Sequence, residues 1–277
     1  MQQYFLWVTI GTLVLLGAEL VAGRHRGVYR KSDFPLLAGA YLGRKLMAPV
    51  ATLLVASVYG AVLPGQYKDA LKGTPLWIAY PAVLLAVEFC FYWVHRWAHT
   101  TATARVPVLW KIHRTHHSGQ HMNTSLLIRL NVFWYFILPT GWVTALAVYL
   151  GLGQAAAFTI LTLQAWNAIT HANFRWDDRI RSHRRFGPAF RALEHVFVSP
   201  GMHHTHHGYG RDGAAYRNFG IVLAVWDWAF GTLHIPQGRP SRYGLPGHDA
   251  HWLEELFYPL VRIKPKAQVQ AQTQAQT

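Results

Sequence analysis

Five apolar stretches constrain the fold of this chain more than any other feature. Crossing a bilayer as a helix takes about 20 mostly apolar residues, and a lipid environment admits only helices or closed barrels. The predicted spans are 4–21, 46–63, 76–94, 130–150 and 155–169. Charged residues make up only 14% of the chain, against about 25% in soluble domains. We therefore predict an all-α fold, an integral membrane bundle of four to five transmembrane helices.

Charge asymmetry predicts the orientation of these spans. The loop after the first span carries six basic residues, namely Arg24, Arg26, Arg30, Lys31, Arg44 and Lys45. The next loop holds only Lys68 and Lys72, offset by Asp69. By the positive-inside rule the first loop faces the cytoplasm. Residues 173–263 then form a cytosolic helical cap of a single domain, 1–263. Residues 264–277 are low in complexity and predicted to be disordered.

The net charge of +14 raises the question of an anionic partner. The basic residues of the chain are scattered between apolar stretches, so a nucleic-acid partner is not expected. Six arginines near the start of the cap are expected to meet anionic headgroups or an acidic electron donor. They are Arg175, Arg179, Arg181, Arg184, Arg185 and Arg191.

Three short histidine clusters, HRWAH, HRTHH and HHTHH, predict a metal site. Within each cluster the spacing is i, i+3 or i, i+4, which places imidazoles on one face of a helix. The candidate ligands are His95, His99, His113, His116, His117, His203, His206 and His207. The predicted topology puts all three clusters on the cytoplasmic side of the membrane, as one shared site requires.

Eight histidines exceed the needs of one zinc ion, so the clusters predict two adjacent metals. Iron suits a dimetal site that meets dioxygen, although two zinc ions remain an alternative on sequence alone. His171 is a candidate ninth ligand, whereas His204 breaks the one-face spacing and is expected to be a neighbour only. Four carboxylates are available to support the ligands. They are Glu88, Asp177, Asp178 and Asp227.

The remaining seven histidines are expected to be surface residues or core residues without a metal. They are His25, His121, His183, His195, His234, His248 and His251.

The clusters and their flanking segments resemble the fatty acid hydroxylase/sterol desaturase superfamily of integral-membrane di-iron enzymes, from about residue 84 to 233. VPVLWKIHRTHHS followed by SLLIR is similar to its alkylglycerol monooxygenase-like branch. VFVSPGMHHTHHG, NFG and VWDWAFGT resemble further segments of the superfamily.

This resemblance implies roles position by position. The eight cluster histidines would be ligands of two iron ions, and His171 in NAITH would match a further ligand. Asn167 stands where some relatives have histidine. Asn167, Asn218 and Asp227 would contact the metal ligands indirectly. The resemblance also implies dioxygen as co-substrate, a membrane lipid as substrate and electrons from a separate redox protein.

Three functions follow from these features. The first is an O2-dependent lipid hydroxylase or monooxygenase, and the second is a lipid or sterol desaturase with the same centre. The third is a histidine-rich metal transporter, which the gathering of histidines at span ends disfavours. Four aromatics of the later spans either line a lipid passage or pack between helices: Trp134, Tyr135, Trp142 and Trp166. Arginine-rich loops favour a bacterial inner membrane over the endoplasmic reticulum.

Overall fold

The computed structural model describes residues 2–247 and 250–263, and these residues are mostly helical. The helices are α1 Gln2–Val21, α2 Asp33–Val62, α3 Leu76–Thr100, α4 Val108–His117, α5 Trp134–Ile137, α6 Pro139–Tyr149, α7 Gly153–His171, α8 Trp176–Ser182, α9 Gly187–Leu193, α10 Pro200–His207, α11 Val225–Ala229 and α12 Trp252–Phe257. Strands β1 Gly208–Tyr209 and β2 Arg242–Tyr243 form one antiparallel pair. His248 and the predicted disordered tail lie outside the described residues.

Three helices, α1, α2 and α3, are long and apolar enough to cross a membrane. Most apolar side chains of α1 and α2 are exposed on the protein surface, for example Leu13 at 60% and Leu53 at 68%. Leaving such surface in water would be costly, at about 25 cal/mol per Å². These faces therefore suit hydrocarbon.

Helix α2 begins 13 residues before the predicted span, at Asp33 rather than residue 46. Arg44 and Lys45 directly precede the predicted span, but both residue types favour helix and do not interrupt it. The additional turns pack against the C-terminal region. A Cβ placed on Gly39 would lie 2.4 Å from Leu256 of α12, so α2 and α12 meet closely at this glycine.

The predicted fourth span, 130–150, is not one helix. It contains α5 and the 11-residue α6, which is about 16 Å long and too short to cross a bilayer alone. Pro139 begins α6 and has no N–H to continue α5, and the backbone of Leu138 before it is not helical. Helices α6 and α7 pack together as the predicted hairpin, with Gly151 at a φ of 90° in the turn.

Helix α3 is the centre of the bundle. It packs against α6 and α7, and also contacts α4 and α11. Its buried side chains Val83, Val87 and Phe91 share one apolar cluster with residues of α7 and with residues 221–223. The core thus joins the bundle to the C-terminal region at the level where α3 reaches His95.

Candidate metal centre

Four helices bring the predicted histidine ligands together. Helix α3 carries His95 and His99 one turn apart, and α4 carries the second cluster. Helix α7 ends at His171, and α10 carries the third cluster. The Ser199 side chain accepts a hydrogen bond from the Met202 N–H at the start of α10, and Pro200 occupies the first turn.

All nine predicted ligands lie in two adjoining groups with mutually close nitrogen atoms. Within each group, one nitrogen from every member lies within 4.8 Å of the others. The first group, termed the five-histidine group, contains His95, His99, His113, His117 and His206. The second, termed the four-histidine group, contains His116, His171, His203 and His207. The rings of His117 and His207 stack across the boundary, with centroids 4.3 Å apart.

Backbone carbonyls fix the orientation of three of these rings. Nδ1 of His95 lies 2.7 Å from the Phe219 carbonyl oxygen, and Nδ1 of His206 lies 2.7 Å from that of Arg217. Nδ1 of His171 lies 2.8 Å from the Asn167 carbonyl oxygen. Because a carbonyl can only accept, each Nδ1 must carry the proton, and in a neutral ring Nε2 then keeps its lone pair.

Nε2 of His95 and Nε2 of His206 nevertheless lie only 3.1 Å apart. Two lone pairs at this separation repel unless a cation lies between or beside them. Two imidazole nitrogens bound at right angles to one ion at about 2.1 Å lie about 3.0 Å apart. The other close Nε2 pairs, such as His113–His117 at 3.0 Å, have the same spacing. The donor set therefore fits a metal ion in each group.

Burial keeps the histidines outside the spans neutral. Desolvation, followed by the neighbouring imidazole of His207, holds the pKa of His117 well below its usual value. Desolvation and His95 act in the same direction on the pKa of His206. Both rings are therefore unprotonated at neutral pH, as a metal ligand must be.

Two buried carboxylates support the loop that contacts His95. One oxygen of Glu88 accepts the N–H groups of Ile221, Val222 and Leu223 at 3.0–3.1 Å. Asp227 accepts the N–H groups of Phe219 and Gly220, each at 2.8 Å. Since the Phe219 carbonyl bonds His95, both carboxylates act on this imidazole through the backbone.

We expect Glu88→Ala to lower the midpoint of thermal unfolding markedly and to weaken metal retention. The substitution leaves three buried N–H groups without their acceptor, at about 1–3 kcal/mol for each unsatisfied group. Scanning fluorimetry in detergent measures the first effect and metal analysis the second. Glu88→Gln retains an acceptor oxygen and should be milder; equal midpoints for wild type and Glu88→Ala would contradict this assignment.

Asn218 and Asn167 reach the site differently. The Asn218 amide donates to the Met202 carbonyl in α10 and also bonds the backbone of His234. Its φ of 57° is in the left-handed region. Asn167 contacts His171 through its carbonyl oxygen, while its side chain lines a cavity.

His204 lies outside both groups, with its Nδ1 3.5 Å from the Tyr243 hydroxyl. The six other histidines expected to be non-ligands and present in the described residues also lie outside the groups.

A large apolar cavity leads to the histidines. Its volume is about 1320 Å³, above the roughly 300–1,000 Å³ of ordinary ligand pockets. Side chains of α1, α2, α6 and α7 line it, and its histidines come from both groups. Of the two alternatives for the four aromatics, Trp134 and Tyr135 line the cavity, whereas the indole N–H groups of Trp142 and Trp166 donate to the carbonyls of Phe136 and Val198.

The expectation for Arg181 was wrong. This arginine does not face headgroups: it is buried and pairs with Asp177, Asp178 and Glu194. Arg239, which sequence reasoning missed, pairs with the same two aspartates. The acidic residues of α8 offered a signal, because they stand one turn from Arg181. Asp177 and Asp178 thus belong to this ionic network, and Asp177 also accepts the Gly201 N–H of α10 at 2.7 Å.

The family model of the fatty acid hydroxylases matches residues 80–232, more than half of the chain. The chain belongs to this family. The matched segment contains all nine histidines of the two groups and also Glu88, Asn218 and Asp227. Helices α1 and α2 lie outside it.

Curated relatives include alkylglycerol monooxygenases and a bacterial lipid hydroxylase. The chain is 31% identical to the human alkylglycerol monooxygenase over 174 residues, which is 61% of this chain and 33% of that protein. It is 30% identical to the zebrafish (Danio rerio) enzyme over 195 residues, or 66% and 36%. Identity to ornithine lipid hydroxylase OlsE of Rhizobium tropici is 30% over 193 residues, or 65% and 49%. The matched regions thus span between a third and a half of these relatives. No solved structure matches this chain.

Proposed function

We propose that this protein is a di-iron, oxygen-dependent hydroxylase that oxidises a C–H bond of a membrane lipid. One observation carries the proposal: the Nε2 atoms of His95 and His206 face each other. Because each ring carries its proton on Nδ1, both Nε2 atoms present lone pairs. The adjoining four-histidine group provides for a second ion. Membership of an iron-dependent family supports iron as the metal.

The nine histidines would hold two iron ions, and these ions would activate dioxygen. The carbonyls of Phe219, Asn167 and Arg217 orient three of the imidazoles. Glu88 and Asp227 fix the loop that provides the first of these carbonyls. Asn218 joins that loop to α10. The loop positions His95 and α10 carries His206, so this link maintains the spacing of these two histidines.

The cavity supports a lipid as substrate. Its lining is predominantly apolar, and it reaches His95, His113, His116, His171 and His203. An alkyl or acyl chain in the cavity would bring one carbon beside the metal ligands and exclude water from the reaction. The names of the relatives, a monooxygenase of alkylglycerols and a lipid hydroxylase, support the same substrate class.

We place the site at the cytoplasmic face of the membrane, because the basic loop before α2 favours that side. Electrons would come from a separate redox protein, and a bacterial inner membrane is the favoured location. Helices α6 and α7 would complete the bundle beside the three long helices. The gathering of histidines into one buried centre, rather than along a path, disfavours metal transport.

Comparative lipid mass spectrometry tests the reaction. Cells that express the wild type should contain one lipid class with one additional oxygen, and cells that express His116→Ala should lack it. His116 belongs to the four-histidine group, so its loss removes one of four ligands there. A lipid that has lost two hydrogens would instead identify a desaturase. No change in any lipid class would contradict both reactions.

A further inference from the structure

Two cations stand at the wall of the apolar cavity. Arg44 and Lys45 are the charged side chains among the described residues that line it, apart from the histidines, and no carboxylate lines it. Neither cation has a salt-bridge partner in the part of the chain that the structure describes. An unpaired cation beside an apolar space attracts an anionic group of whatever enters it.

A phenol hydroxyl lies with these cations. The Tyr135 hydroxyl is buried, lines the cavity and has no hydrogen-bond partner in the structure. Helix α2, which carries both cations, packs against α5, which carries Tyr135. The Lys45 ammonium is 5.6 Å from the ring centre of Tyr41, which also lines the cavity. A buried polar group without a partner costs free energy, and a ligand oxygen would relieve this cost at Tyr135.

These donors lie at the histidine end of the cavity. Gly43, next to Arg44, packs against Val132, because a Cβ on this glycine would lie 2.5 Å from Val132. Trp134 follows Val132 by two residues, and its ring is 4.7 Å from the ring of His113 in the five-histidine group. The far end of α2 meets α6 instead, where the Tyr59 hydroxyl donates to the Trp142 carbonyl at 3.0 Å.

We propose that Arg44, Lys45 and Tyr135 bind the anionic headgroup of the lipid, through phosphate or carboxylate oxygens. This inference rests on the lipid hydroxylase function proposed above and narrows its substrate to lipids with an anionic group. The lipid chain then extends along α7, whose lining residues run from His171 to Gly153, over about 27 Å of helix. Both cations lie outside the segment that matches the family, whereas Tyr135 lies inside it.

Binding of lipid probes to the full-length protein tests the proposal without turnover. The probes are oleoyl lysophosphatidic acid, oleoylglycine and monooleoylglycerol, which share one chain and carry a phosphate, a carboxylate or neither. Native mass spectrometry from a neutral detergent gives their relative affinities. We expect the better anionic probe to bind about tenfold more tightly than the neutral one. Which anion is preferred distinguishes a phospholipid from a carboxylate lipid.

Variants locate the effect. Arg44→Gln combined with Lys45→Gln should abolish the preference and leave monooleoylglycerol binding unchanged. Tyr135→Phe should reduce the preference about threefold. Arg24→Gln combined with Arg26→Gln is the matched control, because these two arginines precede α2, are exposed like Arg44 and Lys45, and do not line the cavity. This control should retain the full preference.

The outcomes separate the two proposals. Equal binding of all three probes, or equal loss in the control variant, would overturn the headgroup site, because general attraction to a basic surface would then suffice. If cells form oxidised lipid but the protein binds the anionic and neutral probes equally, only the headgroup site is overturned. A clear preference that depends on Arg44 and Lys45 supports the headgroup site even if no oxidised lipid forms, and that result would contradict only the hydroxylase function.

Discussion

Replacing His203 with alanine is expected to lower the iron content from about two ions to about one per chain and to abolish lipid oxidation. His203 belongs to the four-histidine group, and its Nε2 lies 3.1 Å from Nε2 of His171. The substitution leaves three imidazoles, while the five-histidine group remains complete. Activity should fall by more than about a hundredfold, since even the partners of ligands contribute 10–100-fold. Elemental analysis and product mass spectrometry of the purified protein measure the two effects.

Two further variants make this prediction specific. His206→Ala removes one of five imidazoles and should release less iron than His203→Ala. His204→Gln alters a buried histidine of the same helix that lies in neither group. It should keep about two ions per chain. Equal iron loss in His204→Gln would attribute the effect to a disturbed α10, and full iron in His203→Ala would show that the four-histidine group holds none.

The histidine spacing predicted which residues meet, because it depends only on helix geometry. His113 and His117, four residues apart, lie on one face of α4 and enter the same group. His116, one residue before His117, enters the other group. The same division separates His203 and His207 from His206 in α10. Which face meets which group depends on how the four helices pack, so the five-and-four division could not be read from the clusters.

Elements that depend on distant contacts were harder to predict. Pro139 marks the break between α5 and α6, whereas the apolar composition of 130–150 predicted one continuous helix. Glu88 and Asp227 were named as support for the ligands, yet their action through backbone N–H groups needs a loop more than 130 residues after Glu88. Arg44 and Lys45 served only to orient the chain, because their position at the cavity wall arises from the packing of α2 against residues around Val132.

Arg181→Met is expected to destabilise the protein by about 3–5 kcal/mol, the usual cost of removing one partner from a buried ion pair. Arg181 donates to Glu194 at 2.6 Å and to Asp177 at 2.9 Å, and both carboxylates are buried. Arg239 still pairs with Asp177 in the variant. Glu194 instead loses its arginine and keeps only the Ser199 hydroxyl among the partners described here. The midpoint of unfolding in detergent measures the loss.

The same network bears on the metal centre, because Asp177 accepts the Gly201 N–H at 2.7 Å and Ser199 begins α10. Arg181→Met should therefore also lower iron in the four-histidine group, to which α10 contributes His203 and His207. Adding Glu194→Gln removes the uncompensated charge and should recover part of both losses. Arg179→Met, on the exposed side of α8, should change stability by no more than about 0.5 kcal/mol. A double variant no better than Arg181→Met would mean that the arginine acts by packing rather than by charge.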